Sequence, residues 1–202
     1  MYAIVEDNNI TQYINNPKSV VIGDVRYPAK IFELWSQSEK ESIGIYEIIV
    51  DKTNYKDPAY YNNTNSSYTF ADGQVTESWG TATAKELEDR NATDEDGVEL
   101  NPIVVIEGLK TEKKKIVKAQ ASTLLERTDW HNHKALDDDS YTIPDNIKTY
   151  RANVRAKSNE METQIDACNN VDELKTLYEY VNTGTEENPV YERPLAEFPE
   201  EI

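Results

Sequence analysis

Residues able to do chemistry are few here, and they cluster. The only histidines, His131 and His133, lie two apart and are followed by Asp137-Asp138-Asp139. Imidazole and carboxylate are competent ligands for a divalent ion. A local run without further donors reads more plainly as a polar loop, and no metal is expected. A second cluster, Asp94-Glu95-Asp96-Gly97, has the alternate carboxylates and glycine of a calcium loop. With Gly97 at the sixth loop position, the first falls on Ala92 and the twelfth on Ile103, so neither terminal carboxylate exists. Cys168 is the single cysteine, which excludes an intrachain disulfide and a redox pair. It sits on a helical pattern as a small apolar residue. There is no glycine-rich phosphate loop and no nucleophile elbow. Among 38 acidic residues, paired carboxylates carry no information. No enzyme activity and no cofactor are expected.

Composition narrows the partners. Net charge is -17 over 202 residues, with 38% hydrophobic residues and a mean hydropathy of -0.75. That argues against nucleic acid, whose phosphates need a basic face, and against anionic membranes. No stretch is long and apolar enough for a membrane span. The start, Met1-Tyr2-Ala3-Ile4-Val5-Glu6-Asp7, lacks the basic and apolar regions of a signal peptide, so cytoplasm is expected.

The elements that must position these residues are α+β. The expected layout is a small antiparallel β-rich unit with a short helix over residues 1–85, then an acidic connector with a short strand over residues 86–107. A helical hairpin plus a third helix follows over residues 108–182, and an extended acidic tail over residues 183–202. In the first part, β-prone runs flank Asp7-Asn8, Gly23-Asp24 and Asp72-Gly73, three hairpin turn signals that pair Val5 with Ile10 and Phe70 with Val75. Ser36 and Glu39 spell a capping box for a short helix that stops near Gly44. Ile45 to Val50 is the strongest strand. Tyr2, Tyr13, Phe32, Trp35, Tyr46, Phe70 and Trp79 are core candidates, while Tyr60-Tyr61, in a polar loop, is a candidate contact surface.

Residues 86–99 hold seven acids and one base, a solvated composition. Ile103 to Ile106 reads as a strand that joins the first unit's sheet or pairs with a partner chain. From Gly108, Lys110, Lys113, Lys114, Lys115 and Lys118 make a solvated basic face, with binding of an acidic partner or offset of the adjacent acids as the other readings. Val117, Ala121, Leu124, Leu125 and Thr128 make the buried one. This helix is expected to end near Trp130, with Trp130 largely buried at the bend. Pro144 opens the second helix, with Ile147, Tyr150, Val154, Met161 and Ile165 on its buried face. Arg151 is placed to pair with Asp129 across the bend. Asn170 and Glu173 cap a third helix carrying Val171, Leu174, Leu177, Tyr178 and Val181. The tail is expected to be peripheral, with Phe198 as its one docking residue.

The run from Lys118 to Trp130, an acidic stretch, and then Thr149-Tyr150-Arg151-Ala152-Asn153-Val154-Arg155 resemble the tail assembly chaperone family of tailed bacteriophages. That family has an alanine-containing helix, a Leu-Leu pair (Leu124, Leu125), Thr or Ser before Asp-Trp (Thr128, Asp129, Trp130), and Tyr-Arg with a second Arg (Tyr150, Arg151, Arg155). The similarity spans about residues 108–160. Ile147 stands where the family often has an aromatic. The hairpin start, Trp35 and Gly44-Ile45 are similar to the N-terminal parts of phage tail-fibre assembly proteins. The resemblance implies a viral protein of the host bacterial cytoplasm that acts on tail-fibre or other tail subunits, without catalysis. The alternative is a structural protein of the virion tail, such as a fibre adaptor. Self-association into a homo-oligomer stays open in both.

Overall fold

Two adjacent residues with positive φ, Asp7 (50°) and Asn8 (63°), turn β1 (Tyr2–Glu6) back into β2 (Asn9–Ile14) and set Val5 opposite Ile10. The computed structural model describes residues 1–202 and divides into two units, Met1–Thr83 and Ala84–Ile202. It is mixed α and β, strand-rich at the N-terminus and helical at the C-terminus, as expected.

In the first unit, Gly23 turns β3 (Val20–Ile22) into β4 (Val25–Tyr27). A single turn, α1 (Ile31–Leu34), then buries Ile31 and Phe32. The Ser36 hydroxyl and the Glu39 carboxylate cap α2 (Gln37–Glu41) reciprocally. β5 (Ile45–Asp51), β6 (Tyr61–Asn62), β7 (Ser66–Ala71) and β8 (Gln74–Trp79) follow, and β9 (Thr83–Ala84) leads out of the unit. The main sheet has the order β2-β1-β5-β8-β7. β5 holds it together by splitting its length. Residues Ile45 to Glu47 pair antiparallel with β1, and Ile48 to Asp51 pair parallel with β8. The parallel pair is the one departure from the antiparallel expectation. Turn chemistry announces only hairpins, and these two strands are joined by a crossover that contains β7.

Side chains of β1 alternate between two cores. Ile4 packs with Ile14, Val20, Ile31, Phe32 and Ile45, while Ala3 and Val5 pack with Ile48 and Val75. Burial on both faces is why β1 is apolar throughout rather than alternating. Gly44, at φ +84°, is fixed by close approach: a Cβ there would stand 2.6 Å from the Val5 carbonyl oxygen, and the Gly44 carbonyl accepts from Val5 N–H at 2.8 Å. Gly44→Ala is expected to cost about 2 kcal/mol in urea unfolding followed through the tryptophans. The Tyr60-Tyr61 pair is not a contact surface: both residues are buried. The Asn63 side chain closes that loop, accepting from Lys56 N–H at 2.8 Å and donating to the Lys56 carbonyl at 2.7 Å.

The second unit begins with the connector. It folds into its own hairpin, β10 (Arg90–Asn91) against β11 (Val105–Ile106), so β11 finds its partner inside the connector. The helices are α3 (Leu109–Glu126), α4 (Asp129–Asp137), α5 (Asp145–Asp166) and α6 (Val171–Tyr178), followed by β12 (Val181–Asn182) paired with β13 (Tyr191–Glu192). The Asp89 carboxylate accepts from Gly108 N–H at 2.8 Å and from the Thr111 hydroxyl at 3.0 Å. These bonds cap the start of α3 and hold that carboxyl below its usual range. The lysines of α3 are not simply a solvated face. Lys110 is buried, pairs with Glu88 and donates to the Asp166 carbonyl at 3.0 Å. Lys114 pairs with Asp166 at 2.7 Å, Lys118 with Glu162 at 3.2 Å, and Lys115 with Glu107. The row therefore ties the acidic connector on one side and α5 on the other.

α5 buries Ile147, Tyr150, Val154, Met161 and Ile165, the spacing expected of it, and Asn170 caps α6 by accepting from Glu173 N–H at 2.9 Å. The tail is not peripheral. Leu195 is buried, its N–H donates to the Leu177 carbonyl at 3.0 Å, and Gln164 brackets it through the Pro194 carbonyl (2.9 Å) and Ala196 N–H (2.8 Å). Phe198 packs on Ala121, Tyr150 and Val154. An acidic segment rich in proline looks solvated in sequence, yet one leucine and one phenylalanine suffice to fix it. Leu195→Ala is expected to cost about 2 kcal/mol, the lower end for a buried leucine because the tail can settle into the space; loss of helical circular dichroism in urea measures it.

Candidate functional site

The corner between α3 and α4 gathers the residues that the sequence singled out. After α3 ends at Glu126, the Thr128 hydroxyl and N–H both donate to the Leu125 carbonyl at 3.0 Å, which breaks the helix and turns the chain. α4 then starts at once with Asp129, a carboxylate in a first turn, where the helix dipole favours it. His131-Asn132-His133 is thus helical rather than a loop.

Arg151 of α5 binds this corner from inside. Its side chain is buried and fills its fork with three acceptors: the Leu125 carbonyl (2.8 Å), the Thr128 hydroxyl (2.7 Å) and the Asp129 carboxylate (2.7 Å). The expected Asp129–Arg151 pair is therefore present, and Arg151 also satisfies a carbonyl at the α3 terminus. Tyr150 is buried, and Leu124 and Leu125 pack against its cluster with Phe198.

Trp130 overturns an expectation. It is 54% exposed rather than buried. With about 100° between successive residues of a helix, the inward directions at this corner go to Thr128 and His131, both buried, and Trp130 is turned out. His131 Nδ1 is hydrogen-bonded to the Tyr141 hydroxyl, and its ring stacks on Trp130 with centroids 3.7 Å apart. Lys134 Nζ lies 4.4 Å from the Tyr141 ring centroid. The indole is thereby supported from beneath by a fixed imidazole. Trp130, His133 and Leu136 follow at intervals of three along α4, and all are exposed, Leu136 at 81%. They form one outward ridge.

The metal alternative finds no geometry here. His131 is engaged with Tyr141, His133 faces solvent, Asp138 is taken by the Ser140 hydroxyl and N–H, and no group of three His, Cys, Asp or Glu residues converges. Cys168 is buried, and burial pushes its thiol pKa up. Sequence reasoning missed Tyr141 and Leu136. The three-residue spacing from Trp130 to Leu136 was visible, but it means a ridge only once the stretch is known to be helical. No helix is long and apolar enough to cross a membrane. Compared with known proteins, the chain matches no family model, no curated protein and no solved structure.

Proposed function

We propose that this chain is a bacteriophage tail or tail-fibre assembly chaperone. It binds fibre or tail subunits during virion morphogenesis in the host bacterial cytoplasm and performs no catalysis. The observation that carries the reading is Trp130, an exposed indole on a corner that buried Arg151 and His131 hold rigid. Tryptophan is enriched among the dominant contacts of protein interfaces, and one already held in place supplies large apolar area with little ordering cost. The resemblance of residues 108–160 to tail assembly chaperones supplies the partner class. Fibre subunits expose strand edges and trimer interfaces before they close, and a net charge of -17 would keep a complex with them dispersed.

Co-expression with the tail-fibre protein of the same phage tests this. The expected result is more soluble, trimeric fibre, and an unchanged fibre yield and oligomeric state would overturn it. Mass spectrometry of purified particles separates the alternative, since a stoichiometric copy in the virion would make the chain a structural tail component instead.

A further inference from the structure

The connector hairpin leaves an unusual edge. Ala92 N–H donates to the Val104 carbonyl at 2.7 Å, so Val104 faces β10. Backbone direction alternates along an antiparallel strand, which points the N–H and C=O groups of Val105 away from β10, where no other strand pairs with them. The side chains are equally uncovered. Ile103 is 64% and Val105 53% exposed, Val104 and Ile106 are exposed on the opposite face, and Val98 and Leu100 extend the patch. Natural edge strands are usually blunted by lysine, a bulge or a covering element. Here only Pro102, at the start of the run, serves that purpose.

The surroundings indicate what fits. Asp94, Glu95 and Asp96 form the hairpin tip, with Glu99 beside them, whereas at the far end Glu88 and Glu107 are already paired with Lys110 and Lys115. The one cation on the opposing strand is Arg90. A second copy of this chain would bring the same acids to the same edge, and like charges across an interface disfavour it. An extended segment with cationic flanks would meet a complementary field.

We infer that the free edge of β11 is a strand-addition site for an extended polypeptide segment of another protein, with apolar residues at alternate positions and lysine or arginine at its ends. Main-chain hydrogen bonds to Val105 supply the pairing, the exposed side chains of Ile103, Val104 and Val105 supply apolar cover, and the acidic tip selects basic flanks. The inference rests on the edge itself, whichever protein the chain serves.

The test is titration of the isotope-labelled full chain with a short capped peptide of alternating valine and threonine bearing two lysines at each end. Saturable amide shifts confined to residues 103–107 and their hairpin partners are expected, with binding about tenfold or more weaker for the same peptide flanked by glutamates and weaker again in high salt. Val105→Pro removes the outward N–H and should abolish binding without breaking the β10 ladder. Ile103→Lys, which leaves the backbone intact, should weaken the lysine-flanked peptide about tenfold through charge. Three results would overturn the inference: no shifts at this edge, equal binding of the glutamate-flanked peptide, or sedimentation showing a homodimer that Val105→Pro dissolves.

Discussion

Arg151→Met is expected to lower the stability of the helical unit by about 3 kcal/mol, measured as the loss of helical circular dichroism in urea. Methionine fills much of the same volume, so the effect reports the polar network rather than a cavity. Three acceptors lose the guanidinium together: the Asp129 carboxylate, the Thr128 hydroxyl and the Leu125 carbonyl, of which only the Leu125 carbonyl keeps other donors, the Thr128 hydroxyl and N–H. A buried pair broken from one side costs about 3 to 5 kcal/mol. The lower end applies because the Asp129 side chain is 43% exposed, so water can take over its orphaned charge. Arg151→Lys should recover less than half, since an ammonium cannot span the three acceptors that a planar fork reaches. Asp129→Asn should cost only about 1 kcal/mol, because the amide oxygen still accepts from Arg151. Equal stability of Arg151→Met and wild type would mean that the corner is held by apolar packing alone.

On the proposed chaperone function, Trp130→Ala is expected to weaken binding of the tail-fibre protein by about 2 to 3 kcal/mol, on the order of a hundredfold in Kd, with unfolding free energy changed by less than about 1 kcal/mol. The two readouts separate a contact residue from a structural one. A buried tryptophan would show the opposite pattern, large in stability and indirect in binding. Calorimetry with purified fibre protein measures the first and urea unfolding the second. Trp130→Phe should retain much of the affinity, because an aromatic plane still stacks on His131. Leu136→Ala should add a smaller loss, since Leu136 lies on the same outward ridge. If Trp130→Ala binds as tightly as the wild type, the partner contact lies elsewhere on the chain.

Much of the local architecture follows from short-range chemistry. Asp7-Asn8, Gly23-Asp24 and Asp72-Gly73 impose backbone angles that nearby strands must obey, so three hairpins could be read directly, with the Val5–Ile10 and Phe70–Val75 pairs of two of them. Ser36 with Glu39, and Asn170 with Glu173, each satisfy backbone groups within one turn, so both helix starts were also legible. The periodicity from Ile147 to Ile165 encodes the buried face of α5 because a straight helix needs no tertiary information to define a side. Asp129 and Arg151 could be matched by charge across a bend that the sequence implied.

Errors arose where two directions compete for one residue. Around Trp130, burial was inferred from residue type, yet Thr128 and His131 take the buried positions at this corner and Trp130 is left facing out. The Lys110 to Lys118 row does offset the connector, through Glu88 and Glu107, as one of its readings had it, but its α5 partners Asp166 and Glu162 lie too far off in sequence to be read. The tail looked peripheral apart from Phe198, which does dock on α3 and α5, because its composition hides Leu195. The sequence by itself determined the class, the turns, the caps and the buried faces of the helices, since each depends on dihedrals and periods within a few residues. Only the tertiary structure decided that β5 divides its edges between β1 and β8, that Trp130 faces outward, and that β11 keeps a free apolar edge. Each of those depends on which distant element occupies the neighbouring space first, and no local spacing encodes that.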